Sequence, residues 1–573
     1  MNRKPSSQRT YARRDMHLHD NIEVICENTG CRNQYPIGTT LAEIADDVDV
    51  HLKHPIVGAL VNNKLKELTY QVYKPKKVRF IDVTHDDGMR MYTRSLIFVL
   101  FKAIGELYPK SELSVRHPIS NGLYCTLEKD NVFLTELDVE KIKKRIESII
   151  VADLPFEREE MLTEEAIEIF EKNNLQAKTA LLKTRGNVFT SVYYLDGTVD
   201  YYYGHLVPST GFLNVFDLQP FYNGMLLQLP DQENPAQLRP YVQQKKLLKI
   251  FSEFKRWGKI LNVKNIGDLN RMVKTGQIDE LIKISEALHE KKVGQIADKI
   301  RKQRKKLKLI LIAGPSSSGK TTFSKRLAIQ LKVNGLNPVK LSLDNFFVNR
   351  EDNPVDENGN YDFESLKAID IDLFNQKILE LMEGKEIDVP KFSFEEGKRY
   401  YDGEKLSVKK KDLIIVEGIH GLNPKLSEKI PEENKYKIYV SALTSISIDG
   451  HNLIKTSDNR LIRRMIRDYK YRGYNSAETI GRWPSVRRGE EKNIFPYQEE
   501  ANIMFNSALL YELSILKKHV EPILREVQPN QEEYNAAQRL LKFFSYFLSV
   551  SDEEIPPTSI IREFLGGSSF DYD

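Results

Sequence analysis

Residues 314–321 read Gly314-Pro315-Ser316-Ser317-Ser318-Gly319-Lys320-Thr321. The spacing fits G-x-x-x-x-G-K-[ST], a glycine-rich turn whose backbone N–H groups cradle phosphates. The flanks suit that reading. Leu307-Lys308-Leu309-Ile310-Leu311-Ile312 is a short apolar run of buried-strand type, and Thr322 to Leu331 carries Phe323, Leu327, Ile329 and Leu331 at helical spacing. A strand, a turn and a helix in that order aim N–H donors and the positive end of the helix dipole at an anion. Gly314, Ser316, Ser317, Ser318, Gly319, Lys320, Thr321 and Thr322 are the candidate nucleotide contacts. Lys320 is expected to reach the β- and γ-phosphates of ATP, and the Thr321 hydroxyl to hold Mg²⁺.

Reading on from the loop, Val339-Lys340-Leu341-Ser342-Leu343 is a second strand that delivers Asp344 at its C-terminal end. Open α/β sheets bind ligands there. A carboxylate so placed can take a hydroxyl proton as that hydroxyl attacks a γ-phosphate. A third strand, Asp412 to Val416, ends in Glu417, which is placed to hold Mg²⁺ directly or through water. One such acid alone suits a helix cap or a surface carboxylate; two at strand ends beside a phosphate loop point to a site. Further on, Arg460, Arg463, Arg464 and Arg467 recur at i, i+3, i+4 and i+7. That spacing puts four guanidinium groups on one helix face, opposite Leu461, Ile462, Met465, Ile466 and Tyr469. A cationic face suits a lid over transferring phosphates, or a surface helix paired to Asp468.

The chain has 573 residues, 40% of them hydrophobic, so several cores can be buried. Lys+Arg 85 against Asp+Glu 81 is nearly balanced, so bulk charge gives no argument for nucleic acid. Cys26, Cys31 and Cys125 cannot all pair and form no C-x-x-C, which favours a reduced, cytoplasmic setting and argues against a zinc site. The basic, polar residues 1–20 lack the apolar region of a signal peptide, and no apolar run is long enough to span a bilayer, so no membrane partner is expected.

Residues 1–16 read as a basic tail and 17–85 as a small α+β unit of β-grasp size. Its strands are expected at Ile22–Cys26, Ile56–Val61 and Val78–Ile81, with a helix at Leu41–Ala45. PIGTTLAEIA (36–45), PIVGALVNNKLKEL (55–68) and VRFID (78–82) resemble the TGS domain that opens threonyl-tRNA synthetases. The resemblance continues through 86–235 in HPISNGLYCTL (117–127), LTELDVEKIKKRIESIIVADLPFERE (134–159) and YYLDGTVDYYYGHLVPSTG (193–211), which are similar to the editing domain of that family. It implies RNA or small-ligand binding by the N-terminal domains. The family's H-x-x-x-H and C-x-x-x-H editing residues are replaced here by Arg94 and Phe98, and by Tyr202 and His205. Phenylalanine neither binds a metal nor moves a proton, so hydrolytic editing is not expected. Residues 236–305 form a helical bridge, 306–550 carry the phosphate loop, and 551–573, with two prolines and two glycines in pairs, read as a partly disordered tail.

The C-terminal motifs carry a second resemblance. GPSSSGKTT (314–322), LSLDNFF (341–347), VPKFSFEEGKR (389–399), IIVEGIHGL (414–422) and RLIRRMIRDYKYRG (460–473) are similar, in order and spacing, to the uridine–cytidine kinases of the uridine kinase and phosphoribulokinase group. The resemblance implies an ATP- and Mg²⁺-dependent nucleoside kinase. Asp344 is its base and Asp362 its ribose-holding acid. Arg399 is a substrate-side arginine, Arg464 and Arg467 are lid arginines, and Phe347, Phe392 and Phe394 line the acceptor pocket. Phe392 and Gly397 stand where the family has a tyrosine and a histidine that read the pyrimidine, so base selectivity is expected to differ. The expected fold is α/β: a P-loop kinase domain with a mostly parallel sheet and flanking helices, preceded by a β-grasp-like domain and an α+β editing-like domain. Two alternatives stand beside the nucleoside kinase: an RNA- or tRNA-binding protein with a nucleotide-switch P-loop, and a kinase of another small alcohol. The sequence is compatible with an oligomer.

Overall fold

The computed structural model describes residues 21–128, 134–355, 359, 361–393, 395–409 and 412–572. The expectations for the basic tail at 1–16 and for Phe394 lie outside the described residues.

The chain opens on β1 (Asn21–Cys26), β2 (Arg32–Pro36), α1 (Leu41–Asp47), β3 (Gly58–Val61), β4 (Leu65–Lys66) and β5 (Lys76–Ile81), joined in one sheet of order β2-β1-β5-β3-β4. Alternation in β1 buries Ile22, Val24 and Cys26 on one face. Helix α1 closes over that face, started by a capping box in which Thr40 and Glu43 satisfy each other's backbone N–H groups.

Next come α2 (Asp86–Leu107), β6 (Glu112–Ile119), β7 (Gly122–Glu128), α3 (Glu136–Val151), β8 (Glu157–Leu162), α4 (Thr163–Lys172), α5 (Gln176–Arg185), β9 (Phe189–Leu195), β10 (Thr198–Asp200), β11 (Asp217–Phe221) and β12 (Gly224–Gln228). They make two antiparallel sheets, β10-β9-β8 and β11-β12-β7-β6. The helices α6 (Lys245–Ile260), α7 (Ile266–Lys274) and α8 (Ile278–Gln303) follow. They are packed, not strung out as a linker. Ile266, Leu269, Leu281 and Ile282 share one core with Phe170 and Leu181 before them and with Leu461, Leu513 and Phe544 after them.

The remaining elements are β13 (Leu309–Ala313), α9 (Lys320–Val333), β14 (Asn337–Ser342), α10 (Ile371–Met382), β15 (Ile387–Asp388), β16 (Lys391–Ser393), β17 (Lys398–Tyr400), β18 (Lys405–Leu406), β19 (Asp412–Glu417), β20 (Lys435–Ser441), α11 (Thr456–Tyr471), α12 (Ser476–Asn493), β21 (Ile503–Asn506), α13 (Glu512–Arg525), α14 (Tyr534–Phe544) and α15 (Arg562–Leu565). The main sheet runs β14-β19-β13-β20-β21 with every pairing parallel. Residues Leu309 to Ala313 are all buried, as a central strand covered on both faces requires. The register sets Ile312 and Ser342 on either side of Glu417, so three strands end side by side at one edge. The α/β class and parallel sheet expected of the sequence are observed.

The C-terminal segment departs from expectation. Its Pro and Gly pairs suggest partial disorder, but Ile560, Ile561 and Phe564 are fully buried, and Phe564 joins Phe323 and Leu327 in the core beneath the phosphate loop. Apolar residues between the two breaker pairs outweigh the breakers.

Candidate active site

The loop is shaped by two left-handed backbone positions. Ser317 has φ +57° and Gly319 φ +80°. Gly319 tolerates that angle without strain; serine does so rarely, and consecutive turns of this kind aim N–H groups into an anion-binding hollow. At Gly314 a Cβ would lie 1.9 Å from the Val440 carbonyl, so only glycine lets the loop approach β20. The Ser317 and Ser318 hydroxyls are buried without a hydrogen-bond partner among the described residues. Orphaned donors in such a hollow fit a phosphate-bearing ligand.

Lys320 begins α9 and its Nζ donates to the Pro315 carbonyl at 3.2 Å, folded back over the loop. The Thr321 hydroxyl donates to Glu417 at 3.0 Å. Asp344 follows β14 in a short 3-10 turn whose N-cap is Ser342, the Ser342 hydroxyl accepting from the Asp344 N–H at 3.2 Å. Burial raises the Asp344 carboxyl above its usual value against the pull of Lys320 and Arg472. Burial, then the nearby Asp344, push Glu417 up to about 7 despite Lys320 and the Thr321 hydrogen bond. The Thr321 hydroxyl and the Glu417 carboxylate are hard oxygen donors in contact, which fits Mg²⁺ completed by phosphate oxygens and water.

Helix α11 lies across the loop. Arg464 donates to the Ser316 hydroxyl at 3.0 Å and to Asp468 at 3.2 Å. Arg467 is held by Asp468 at 2.7 Å. The even four-arginine face expected from spacing is divided. Arg460 and Arg463 are fully buried in ion pairs with Glu490 and Glu512, and Arg460 also braces the Ser316 carbonyl at 3.1 Å. Glu490 in turn accepts from the Ser316 N–H at 3.1 Å.

On the acceptor side the candidate residues are engaged with protein partners. Phe347 and Phe392 pack with ring centroids 5.5 Å apart. Arg399 is paired with Asp370 at 3.0 Å, and its N–H donates to Asn349. Asp362 is half-buried and its N–H donates to the Pro354 carbonyl at 2.7 Å. A second acid, Glu364, which sequence reasoning did not single out, lies near enough to Lys320 and Arg464 for their charges to act on it. It packs against Gly489, where an added Cβ would lie 2.4 Å from the Glu364 Cβ. Burial and Glu490 push its carboxyl up to about 7, against Arg464 and Lys320. Its position two residues after Asp362 carries no periodic or compositional signal, so only the fold distinguishes them.

The editing-like positions converge but are filled. Arg94 stacks 4.8 Å over Tyr203, donates to the His205 carbonyl at 3.2 Å, and covers Gly204 so closely that a Cβ would meet its guanidinium carbon at 2.2 Å. Phe98 packs on Tyr202 with ring centroids 5.5 Å apart. His205 lies 3.3 Å from Glu67, which also accepts from the Tyr193 hydroxyl. Burial alone would raise the Glu67 carboxyl, but His205, Tyr193 and Arg158 bring it down to about 2. Glu67, directly after β4, thus reaches into this cluster.

With this geometry in view, each region can be set beside known families. Residues 309–512 match the Phosphoribulokinase / Uridine kinase family. The N-terminal region is similar to threonine–tRNA ligases. That of Carboxydothermus hydrogenoformans is 30% identical over 186 residues, 32% of this chain and 29% of the ligase. That of Clostridium kluyveri is 31% identical over 175 residues, 30% of this chain and 27% of the ligase. The chain therefore spans under a third of the length of these ligases. Among solved structures, a possible uridine kinase from Bacillus stearothermophilus shares 16% identity over 35% of this chain and 89% of its own, with a TM-score of 0.24. D-glycerate 3-kinase from Cryptococcus neoformans shares 14% over 46% and 89%, with a TM-score of 0.20. At these scores the likeness carries no argument about chemistry. No helix among the described residues is long and apolar enough to cross a membrane.

Proposed function

We propose that this chain is an ATP-dependent, Mg²⁺-requiring kinase whose acceptor is the 5′-hydroxyl of a nucleoside. The observation that carries the reading is the gathering of Lys320, Thr321, Glu417 and Asp344 at the carboxyl ends of β13, β14 and β19, under Arg464 of α11. The loop amides and Lys320 fix and neutralise the donor phosphates. Thr321 and Glu417 would hold Mg²⁺, which supplies charge neutralisation at the phosphates when bound. Asp344 takes the proton of the acceptor hydroxyl; its raised pKa makes it a stronger base than a free aspartate. Arg464 and Arg467 offset charge that spreads over the transferring phosphoryl oxygens. Asp362, by the resemblance, and Glu364, by its place near Lys320 and Arg464, are the acids offered to the acceptor hydroxyls. Phe347 and Phe392 give the acceptor an apolar wall, and Arg399 is occupied by Asp370, so the base is recognised by stacking and shape more than by hydrogen bonds. The division into units at 17–85, 86–235, 236–305 and 306–550 belongs to the same proposal, with the first two serving regulation or ligand binding.

The test is phosphoryl transfer from ATP to a panel of purine and pyrimidine nucleosides. At least one should be phosphorylated, and Asp344→Asn should lower kcat by about 10²-fold or more with ATP binding retained. Turnover of a small alcohol but of no nucleoside would remove the acceptor assignment and keep the kinase. Salt-sensitive tRNA binding with no turnover at all would instead favour a nucleotide switch.

A further inference from the structure

We propose that the C-terminal segment is a latch on the phosphate loop: Glu563 occupies the hydrogen bonds at Thr322 that a nucleotide phosphate needs, so nucleotide binding and this contact compete. The inference rests on the phosphate-loop reading above and adds a regulation of that site.

In α9 the Phe323 N–H already returns to the Gly319 carbonyl at 3.0 Å. The N–H groups of Lys320, Thr321 and Thr322 are the first-turn donors left for an anion. One of the three is taken. The Thr322 N–H donates to Glu563 at 3.2 Å, and its hydroxyl donates to the same oxygen at 2.5 Å. The Tyr572 hydroxyl lies 2.9 Å from that Thr322 hydroxyl and covers it from the far end of the segment. A carboxylate and a phosphate cannot share one donor pair, because two anions at hydrogen-bond distance repel.

The segment is built to stay near while the contact opens. Ile560 sits on Gly319, where a Cβ would lie 2.5 Å from its methyl carbon, and Phe564 lies under the Arg463 guanidinium at 5.2 Å. Both are fully buried and act as anchors. Glu563 stands between them on the half-buried side, so a rotamer change withdraws its carboxylate without moving either anchor. Gly566 and Gly567 follow, and the residues beyond them rest at the surface, tied by the Ser569 N–H to the Pro557 carbonyl and by Lys325 to the Asp571 carbonyl, so Tyr572 can leave without disturbing either anchor. The Lys470 ammonium of α11 bonds the Leu565 carbonyl, so the latch also touches the helix that carries Arg464.

The experiment is ATP and inorganic tripolyphosphate binding by calorimetry to the full chain, as wild type, Glu563→Gln and, as a control on the same segment, Glu554→Gln. Glu563→Gln keeps an acceptor for Thr322 but removes the charge. It should bind both ligands about threefold or more tightly, with Glu554→Gln matching wild type. Equal or weaker binding by Glu563→Gln than by wild type overturns the latch and leaves the phosphate-loop reading standing. No binding of ATP by either protein overturns both. A second measurement needs no variant: hydrogen exchange over residues 566–572 of the wild type should quicken under saturating ATP, and unchanged protection overturns the latch.

Discussion

Burial and the neighbouring Asp344 push the Glu417 carboxyl up to about 7, above its ordinary value of 4.5. The folded protein therefore binds a proton at Glu417 between those values that the unfolded chain has released. Its favourable share in folding is complete below about 4.5 and is lost as pH rises through about 7. Activity runs the other way, since a metal ligand must be ionised. Glu364 also lies near 7, through burial and Glu490. We predict that kcat/KM falls below about pH 7 more steeply than a single ionisation allows, and that Glu364→Gln makes the fall shallower by one ionisation. Raising Mg²⁺ should move the inflection to lower pH, because the bound cation favours the Glu417 anion. A pH–rate profile at two Mg²⁺ concentrations checks this; a flat profile between pH 5.5 and 8 would be incompatible with these carboxyls acting as stated.

At the scale of elements, α11 works with two faces that helical spacing alone cannot separate. Arg463 and Glu512 are both buried, so Arg463→Ala leaves a carboxylate uncompensated and should cost about 3–5 kcal/mol in urea unfolding. Arg464 is partly exposed and touches the loop at Ser316. Arg464→Ala should lower kcat by about 10²-fold while shifting stability by no more than about 0.5 kcal/mol. Equal effects of the two substitutions on both readouts would refute the division. Spacing presents four like arginines because their partners, Glu490 and Glu512, lie 30 and 49 positions away and carry no mark of the pairing. The same limit explains Glu563, which meets Thr322 across 241 positions. By contrast the strand, phosphate loop and helix are legible because that chemistry is contiguous. Asp344 and Glu417 are legible because each directly follows an apolar strand. Glu364 is not, because it sits in a loop whose path depends on α12.

At the scale of the molecule, the ligase-like region and the kinase-family region are joined by a buried ionic network. Lys178 of α5 bonds Asp200 at 2.7 Å and Asp449 at 3.2 Å, and His451 bonds Asp200 at 2.7 Å. Asp449 and His451 lie in the loop that leads from β20 toward α11, so the network spans both regions and holds the entry to the arginine helix. Asn452 secures the loop by donating to the Tyr201 carbonyl at 2.9 Å. Burial alone would push the Asp200 carboxyl up, but Lys178 and His451 pull it well below 3.8. Its contribution to stability is therefore present above about 4 and is lost as pH falls further. Lys178→Met leaves Asp200 and Asp449 buried without their shared cation, which should cost about 3–5 kcal/mol. The two regions also share an apolar core through Phe170, Leu281 and Leu513, so the loss should appear everywhere at once. Trp257 lies in the bridge and Trp483 on α12, so tryptophan fluorescence reports the bridge and the kinase-family region, while circular dichroism reports all helices. In urea the two signals should coincide for the wild type and move together to a lower midpoint in Lys178→Met. If the ligase-like region were an independent unit, the fluorescence midpoint would stay where it is while only part of the dichroism signal moved, and the coupling of the two regions through Lys178 would be refuted.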